Sequence, residues 1–249
     1  MSKPIILAYH SINDRRKDSL SVSTENFRWQ IEYYLNKGYR TITLEDYHQK
    51  KYSEEQKILI ITFDDGYADN YTHAFPILKK LNCTAQIFLT VDFIDTDNTF
   101  WWDRDKIIDG NTIDFLTLSL PQINEMRDYG INFGSHTLSH PMLTQINVKN
   151  AKHEIRESKR KLEELLDCEI SVFCYPHGDL NEEIINLVSK AGYKNAVVTT
   201  ENPLFKNSQF CLERFGVYNE TSKVKFYLKN KKIFRLLNEV LHGKHSAKK

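Results

Sequence analysis

Ile58-Leu59-Ile60-Ile61-Thr62-Phe63-Asp64-Asp65-Gly66 is the stretch on which the reading of this chain turns. A continuous apolar, β-branched run is the pattern of a strand covered on both faces, as in a parallel sheet. This one breaks off on two carboxylates and a glycine. Working outward, Ile5 to Tyr9, Ala85 to Leu89, Ile131 to Gly134, Val172 to Tyr175 and Ala196 to Thr199 read as further short buried strands. Between them lie amphipathic stretches. Thr24 to Lys37 predicts a helix that Ser23 or Thr24 caps and Gly38 ends. Asn70 to Leu81 predicts a helix kinked or started late by Pro76. Gln122 to Tyr129, Val148 to Leu166 and Glu182 to Lys190 complete the series. Strand–helix alternation implies parallel strands joined by right-handed crossovers. With no repeat or linker to divide it, the chain predicts a single α/β domain, a closed or nearly closed barrel of about seven strand–helix units over residues 1–221, followed by a basic C-terminal helix and tail over 222–249.

Composition narrows the function. Among 249 residues, Lys plus Arg number 34 and Asp plus Glu 33, a net charge of +1, which argues against a nucleic-acid partner. An apolar share of 41% and a mean hydropathy of −0.52 fit a globular protein. Cys83, Cys168, Cys174 and Cys211 form no CxxC pair and read as reduced thiols. The apolar run Ile5 to Ala8 is shorter than the roughly 7–15 residues of a secretory signal. The expectation is therefore a cytoplasmic protein. Residues 222–249 hold nine Lys/Arg against one acidic residue, on a stretch with apolar residues near helical spacing. That pattern fits either peripheral contact with an anionic membrane or a terminal helix covering the barrel.

In such barrels chemistry sits on loops at the C-terminal strand ends. Three clusters stand there: Asp64-Asp65-Gly66, Ser135-His136-Thr137-Leu138-Ser139-His140 and Tyr175-Pro176-His177-Gly178. Tyr9-His10 closes the first strand. His136 and His140 are four apart, a spacing that one helical turn would bring to one side. Two such imidazoles are half of a common zinc site. Adjacent carboxylates leaving an apolar strand repel each other and need a cation. A cation held by one Asp and two His leaves coordination positions open, with the second Asp free to act as a base.

These segments resemble the polysaccharide deacetylases of the NodB-homology group, carbohydrate esterase family 4, from about Ile5 to Tyr218. Thr62-Phe63-Asp64-Asp65-Gly66 is similar to that family's first motif, Ser135 to His140 to its second, and Phe173 to Gly178 to a variant of its third. The resemblance implies a distorted (β/α)7-type barrel and hydrolytic removal of N- or O-acetyl groups from sugars, with one divalent cation, zinc first and nickel, cobalt or manganese as alternatives. It implies Asp64 as catalytic base, Asp65, His136 and His140 as metal ligands, and the His177 N–H as an oxyanion donor. In the third motif Cys174 stands where the family has the Arg that orients the base, and Arg214 is a candidate to replace it or to contact substrate. No general-acid His motif follows residue 200, whereas Ile6-Leu7-Ala8-Tyr9-His10 matches it, as in the subgroup with circularly shifted motif order. His10 is therefore the expected acid, with His177 its competitor. Tyr175, Trp102 and Asp103 are candidate substrate contacts, because aromatic faces stack on sugar rings. The partner implied is a carbohydrate, lipid- or nucleotide-linked or a short oligosaccharide, in cell-surface glycan metabolism. Another amide hydrolase such as a deformylase, or a silent glycan-binding barrel, is the alternative.

Overall fold

The computed structural model describes residues 4–49, 56–96, 98–108, 110, 112–199 and 208–229. From the N-terminus run β1 (Ile5–Tyr9), the short pair β2 (Ser11–Ile12) and β3 (Ser21–Val22), α1 (Thr24–Leu35), β4 (Arg40–Thr41), α2 (Leu44–Gln49) and β5 (Ile58–Phe63). Then come α3 (Phe75–Lys80), β6 (Gln86–Leu89), α4 (Leu120–Tyr129), β7 (Asn132–Ser135), α5 (Val148–Leu166) and β8 (Val172–Cys174). The described residues end with α6 (Glu182–Lys190), β9 (Asn195–Val198), β10 (Leu212–Glu213), β11 (Phe215–Gly216) and α7 (Lys223–Lys229).

All strands of the main sheet are parallel, in the order β10-β9-β8-β7-β6-β5-β1-β11, with β4 beside the first half of β5. The two ends of that order are neighbours in sequence. β10 lies on β9 and β11 on β1, with Arg214 alone between them. The Arg214 N–H donates to Val198 O at 2.8 Å and the Val217 N–H to Ala8 O at 2.9 Å. One extended segment thus nearly closes the sheet into a barrel.

Side chains alternate across each strand. Ile6, Ile58, Ile60, Phe88, Val172, Cys174 and Val197 fill the barrel interior. Their neighbours Leu7, Tyr9, Leu59, Ile61, Phe63, Phe173 and Val198 pack outward, under Phe27 and Ile31 of α1, Ile123 and Met126 of α4, Ile155 and Leu162 of α5, and Ile184 and Val188 of α6. Full burial of each such side chain is worth about 1.5–3 kcal/mol. Carrying the inner alternation past the strand ends places His10, Thr62, Asp64 and Arg214 on the inside.

Most expected elements stand within a residue or two of their expected ends, and the helices Val148–Leu166 and Glu182–Lys190 coincide with them. Pro76 acts as a late start. Asn70–Ala74 form a π-helical turn, and α3 opens at Phe75 with Pro76 in its first turn, where a missing N–H leaves no bond unmade. The stretch after β6 forms three 3-10 turns, Val91–Phe93, Trp101–Lys106 and Ile113–Phe115. At the C-terminus, Phe226 is buried against Trp29, Tyr33, Tyr34 and Phe215. Residues 230–249, which hold most of the basic tail for which membrane contact and a covering helix were the two readings, lie outside the described residues. Among the described residues no helix is long and apolar enough to cross a membrane.

Candidate active site

Where β5 ends, Asp65 has a φ of 71° and Gly66 one of 89°. This left-handed turn sends two consecutive carboxylates to different partners. Gly66 is required twice over, since a Cβ there would meet Leu89 Cδ2 at 2.7 Å. Asp64 turns inward to Arg214, whose Nη1 donates to Oδ1 at 2.6 Å and Nη2 to Oδ2 at 2.7 Å. The same guanidinium donates to Thr62 Oγ1 at 2.9 Å, Thr199 Oγ1 at 2.8 Å and Cys174 Sγ at 3.1 Å. Burial alone would push the Asp64 carboxyl up, but the paired guanidinium outweighs it and holds the group well below the usual carboxylate range. Asp64 is therefore ionised. Burial pushes the Cys174 thiol well up, so it stays protonated.

Asp65 turns the other way. Its Oδ1 lies 3.6 Å from His136 Nε2 and 3.5 Å from His140 Nε2. The two Nε2 atoms are 3.1 Å apart. His136 Nδ1 bonds the Cys174 carbonyl at 2.9 Å, which requires the proton on Nδ1 and leaves the Nε2 lone pair facing the triangle. Burial lowers His136 to about 4 and His140 to about 2, so both rings are neutral. The same burial, with Asp64 alongside, drives the Asp65 carboxyl well up, and its Oδ1 has no hydrogen-bond partner. Ligands on a tetrahedral zinc at bond lengths of about 2.1 Å stand roughly 3.4 Å apart. The three donors fit a divalent cation. A second grouping, Asp64, His136 and Cys174, fits less well, since Arg214 engages both Asp64 oxygens and the thiol keeps its proton.

The His136–His140 segment is a loop, not the helical turn its spacing would allow. Thr137 and His140 adopt φ values of 69° and 65°. Glu154 of α5 ties the loop down, accepting from the Leu138 N–H at 2.9 Å, the Ser139 N–H at 3.0 Å and the Ser139 hydroxyl at 2.7 Å. Above these groups opens a cavity of about 430 Å³ lined by His10, Asp64, Asp65, His136, His140 and Tyr175, with Trp102, His177 and Tyr218 farther round the wall. His10 Nε2 is 3.9 Å from Asp64 Oδ2, and its ring stacks on Tyr218 at 6.3 Å. Burial lowers its pKa against the pull of Asp64.

Residues 51–196 match the family described as polysaccharide deacetylase. YxkH of Bacillus subtilis (strain 168), named for the same family, is 30% identical over 235 residues, covering 88% of this chain and 76% of the relative. This chain belongs to the polysaccharide deacetylase family. The poly-beta-1,6-N-acetyl-D-glucosamine N-deacetylase of Staphylococcus aureus (strain MRSA252) is 25% identical over 211 residues, covering 80% of this chain and 68% of the relative. Among solved structures, the Streptococcus pyogenes deacetylase PplD in complex with acetate superposes with a TM-score of 0.75 at 25% identity, covering 92% of this chain and 98% of that one. BC0361, a polysaccharide deacetylase from Bacillus cereus, gives 0.75 at 26%, covering 92% and 69%.

Within this polysaccharide deacetylase fold the expected residues fall in different places. Asp64, Asp65, His136, His140, His10 and Tyr175 converge on the cavity. His177 is exposed at its rim, in a turn with a φ of 57°. Two expected substrate contacts are corrected. Arg214 is buried behind Asp64 and reaches no cavity wall. Asp103 is fully buried, accepting from the Tyr67 hydroxyl at 2.5 Å, Lys106 Nζ at 2.6 Å and Arg16 Nη2 at 3.4 Å. Trp102 does line the cavity, while Trp101 is the exposed member of the pair at 55%. Tyr218, Thr199, Lys106, Ser19 and Leu20 also line it and escaped the sequence reading. Strand alternation, Val197 inside and so Thr199 inside, was the signal available for Thr199. Tyr218 offered none.

Proposed function

We propose that this chain is a divalent-cation-dependent hydrolase that removes N-acetyl groups from amino sugars of a glycan or glycan precursor. One observation carries the reading: three candidate ligand atoms, Asp65 Oδ1 and the Nε2 atoms of His136 and His140, face one another beside an ionised, Arg-paired Asp64 at the floor of a cavity. Asp65, His136 and His140 would hold the cation, zinc first. When bound, such a cation supplies Lewis acidity, acidifying water and stabilising negative charge on an acyl oxygen.

The remaining roles belong to the chain's own groups. Arg214 occupies one lone pair on each Asp64 oxygen, which leaves others free to accept a proton from the attacking water. As the C–O bond forms and the C–N bond breaks, that proton must end on the departing nitrogen. His10, neutral and 3.9 Å from Asp64, stands where it can pass the proton on. The names of the Staphylococcus aureus relatives support N-acetylglucosamine as the sugar.

The test measures acetate and free amine released from β-1,6-linked N-acetylglucosamine oligomers by zinc-loaded protein, chelator-stripped protein and Asp64→Asn. Release by the loaded protein alone, with Asp64→Asn retaining zinc but slowed about 10²–10⁴-fold, is expected. Equal release after chelation, or full turnover by Asp64→Asn, would overturn the reading.

A further inference from the structure

His136 and His140 are held by different means. A ligating imidazole normally has its remote nitrogen fixed by a hydrogen-bond acceptor, and His136 follows that rule through the Cys174 carbonyl at 2.9 Å. The remote Nδ1 of His140 is buried and has no hydrogen-bond partner. Its ring is instead gripped on its flanks. The Trp102 ring centroid lies 4.5 Å away at an interplanar angle of 43°, and the His177 ring 4.5 Å away at 69°.

Trp102 is itself fixed with unusual care for a residue at a cavity wall. Phe100 stacks behind it at 4.4 Å and 7°. Its Nε1 donates to the Tyr67 hydroxyl at 3.1 Å, and that hydroxyl donates to the buried Asp103 Oδ2 at 2.5 Å. Lys106 and Arg16 neutralise the Asp103 carboxylate from the other side. A chain of bonds from Asp103 through Tyr67 therefore ends on the indole that meets His140.

We propose that Trp102 is a positioning residue for His140, its indole replacing the hydrogen bond that Nδ1 lacks, with Tyr67 and Asp103 anchoring the indole. The inference rests on the reading of Asp65, His136 and His140 as cation ligands. It accounts for the burial of a carboxylate at Asp103 that touches no substrate space.

Zinc dissociation constants from competition with a chromogenic chelator, and the visible absorption of the cobalt(II)-loaded proteins, test it. Supporting-shell changes at metal sites weaken binding about 10–100-fold, and Trp102→Ala is expected in that range with altered cobalt bands. Trp102→Phe, which keeps a flat ring, is expected to recover part of the loss. Tyr67→Phe removes one hydroxyl, leaves the core intact and is expected to weaken zinc measurably, which covers the case of a Trp102→Ala protein that does not fold. Wild-type zinc affinity and cobalt spectrum in Trp102→Ala and Tyr67→Phe would overturn the proposal. Asp65→Ala separates the two readings: if it binds zinc like wild type, the ligand assignment itself fails.

Discussion

Arg214 donates to both carboxylate oxygens of Asp64, at 2.6 and 2.7 Å, from a position 150 residues along the chain. Cys174, which stands in the third-motif segment, accepts through its Sγ from the same guanidinium at 3.1 Å. The cation that faces Asp64 comes from the segment that seals the barrel.

Removing Arg214 leaves a buried carboxylate unpaired, which costs about 3–5 kcal/mol. In the wild type the depressed Asp64 adds stability above the unfolded carboxylate pKa and loses it as pH falls through the lower folded value. Arg214→Gln forfeits that contribution at neutral pH. It also lets burial raise Asp64, so the acid limb of its pH–rate profile moves to higher pH. Urea unfolding at pH 7 and the rate profile read the two effects, and an unmoved acid limb would contradict the pairing.

The leaving group decides how much His10 matters. An amine departs poorly without a proton, whereas an activated phenolate needs none. His10→Ala should slow N-acetyl sugar hydrolysis about 10²–10⁴-fold and slow 4-nitrophenyl acetate hydrolysis far less. Equal losses on both substrates would remove His10 from the acid role and return His177 to it.

The loop that carries His10 is tied down by Asn70 Nδ2, which donates to the His10 carbonyl at 2.8 Å, and by Asp69, which accepts from Ser11 Oγ at 2.5 Å and the Ile12 N–H at 3.2 Å. Burial pushes Asp69 up to about 6, although these donors pull it down. Between the ordinary carboxylate pKa and that value the native protein holds a proton that the unfolded chain has released. Stability therefore falls as pH rises through that window and levels above it, by about 3 kcal/mol at most. Asp69→Asn should flatten the slope in denaturation curves collected from pH 4 to 7.

Inside the barrel, a Cβ on Gly134 would meet two Phe88 ring carbons at 2.8 Å and Val172 O at 2.9 Å. The backbone neighbour cannot yield. Gly134→Ala should cost roughly 1–3 kcal/mol, and more if β7 and β8 separate. Adding Phe88→Leu, which vacates the ring, should recover part of the loss in melting temperature.

The features that depend on local sequence are legible in it, for a physical reason. The apolar run Ile58 to Phe63, the caps and glycines that bound the helices, and the emergence of Asp64, His136 and His177 from strand ends all depend on neighbours a few residues apart. The helical premise for His136 and His140 was unsound, because Glu154 offers the loop acceptors that a helix would have supplied from its own backbone. Side by side in sequence, Trp102 and Asp103 part company because a 3-10 turn rotates successive residues by about 120°, sending the indole to the cavity and the carboxylate inward.

From its own order of residues this chain determined the alternation of strands and helices, the end of the barrel at which chemistry collects, and the family-like motifs standing there. Only the tertiary structure decided that Arg214 rather than a third-motif residue faces Asp64, that Asp103 serves Tyr67, and that Tyr218 meets His10. The pairings of Arg214 and Tyr218 arise when the segment from Leu212 to Gly216 bonds β9 on one edge and β1 on the other. Closure of the sheet is a property of all its strands together, so no local pattern encodes which distant residues it brings into contact.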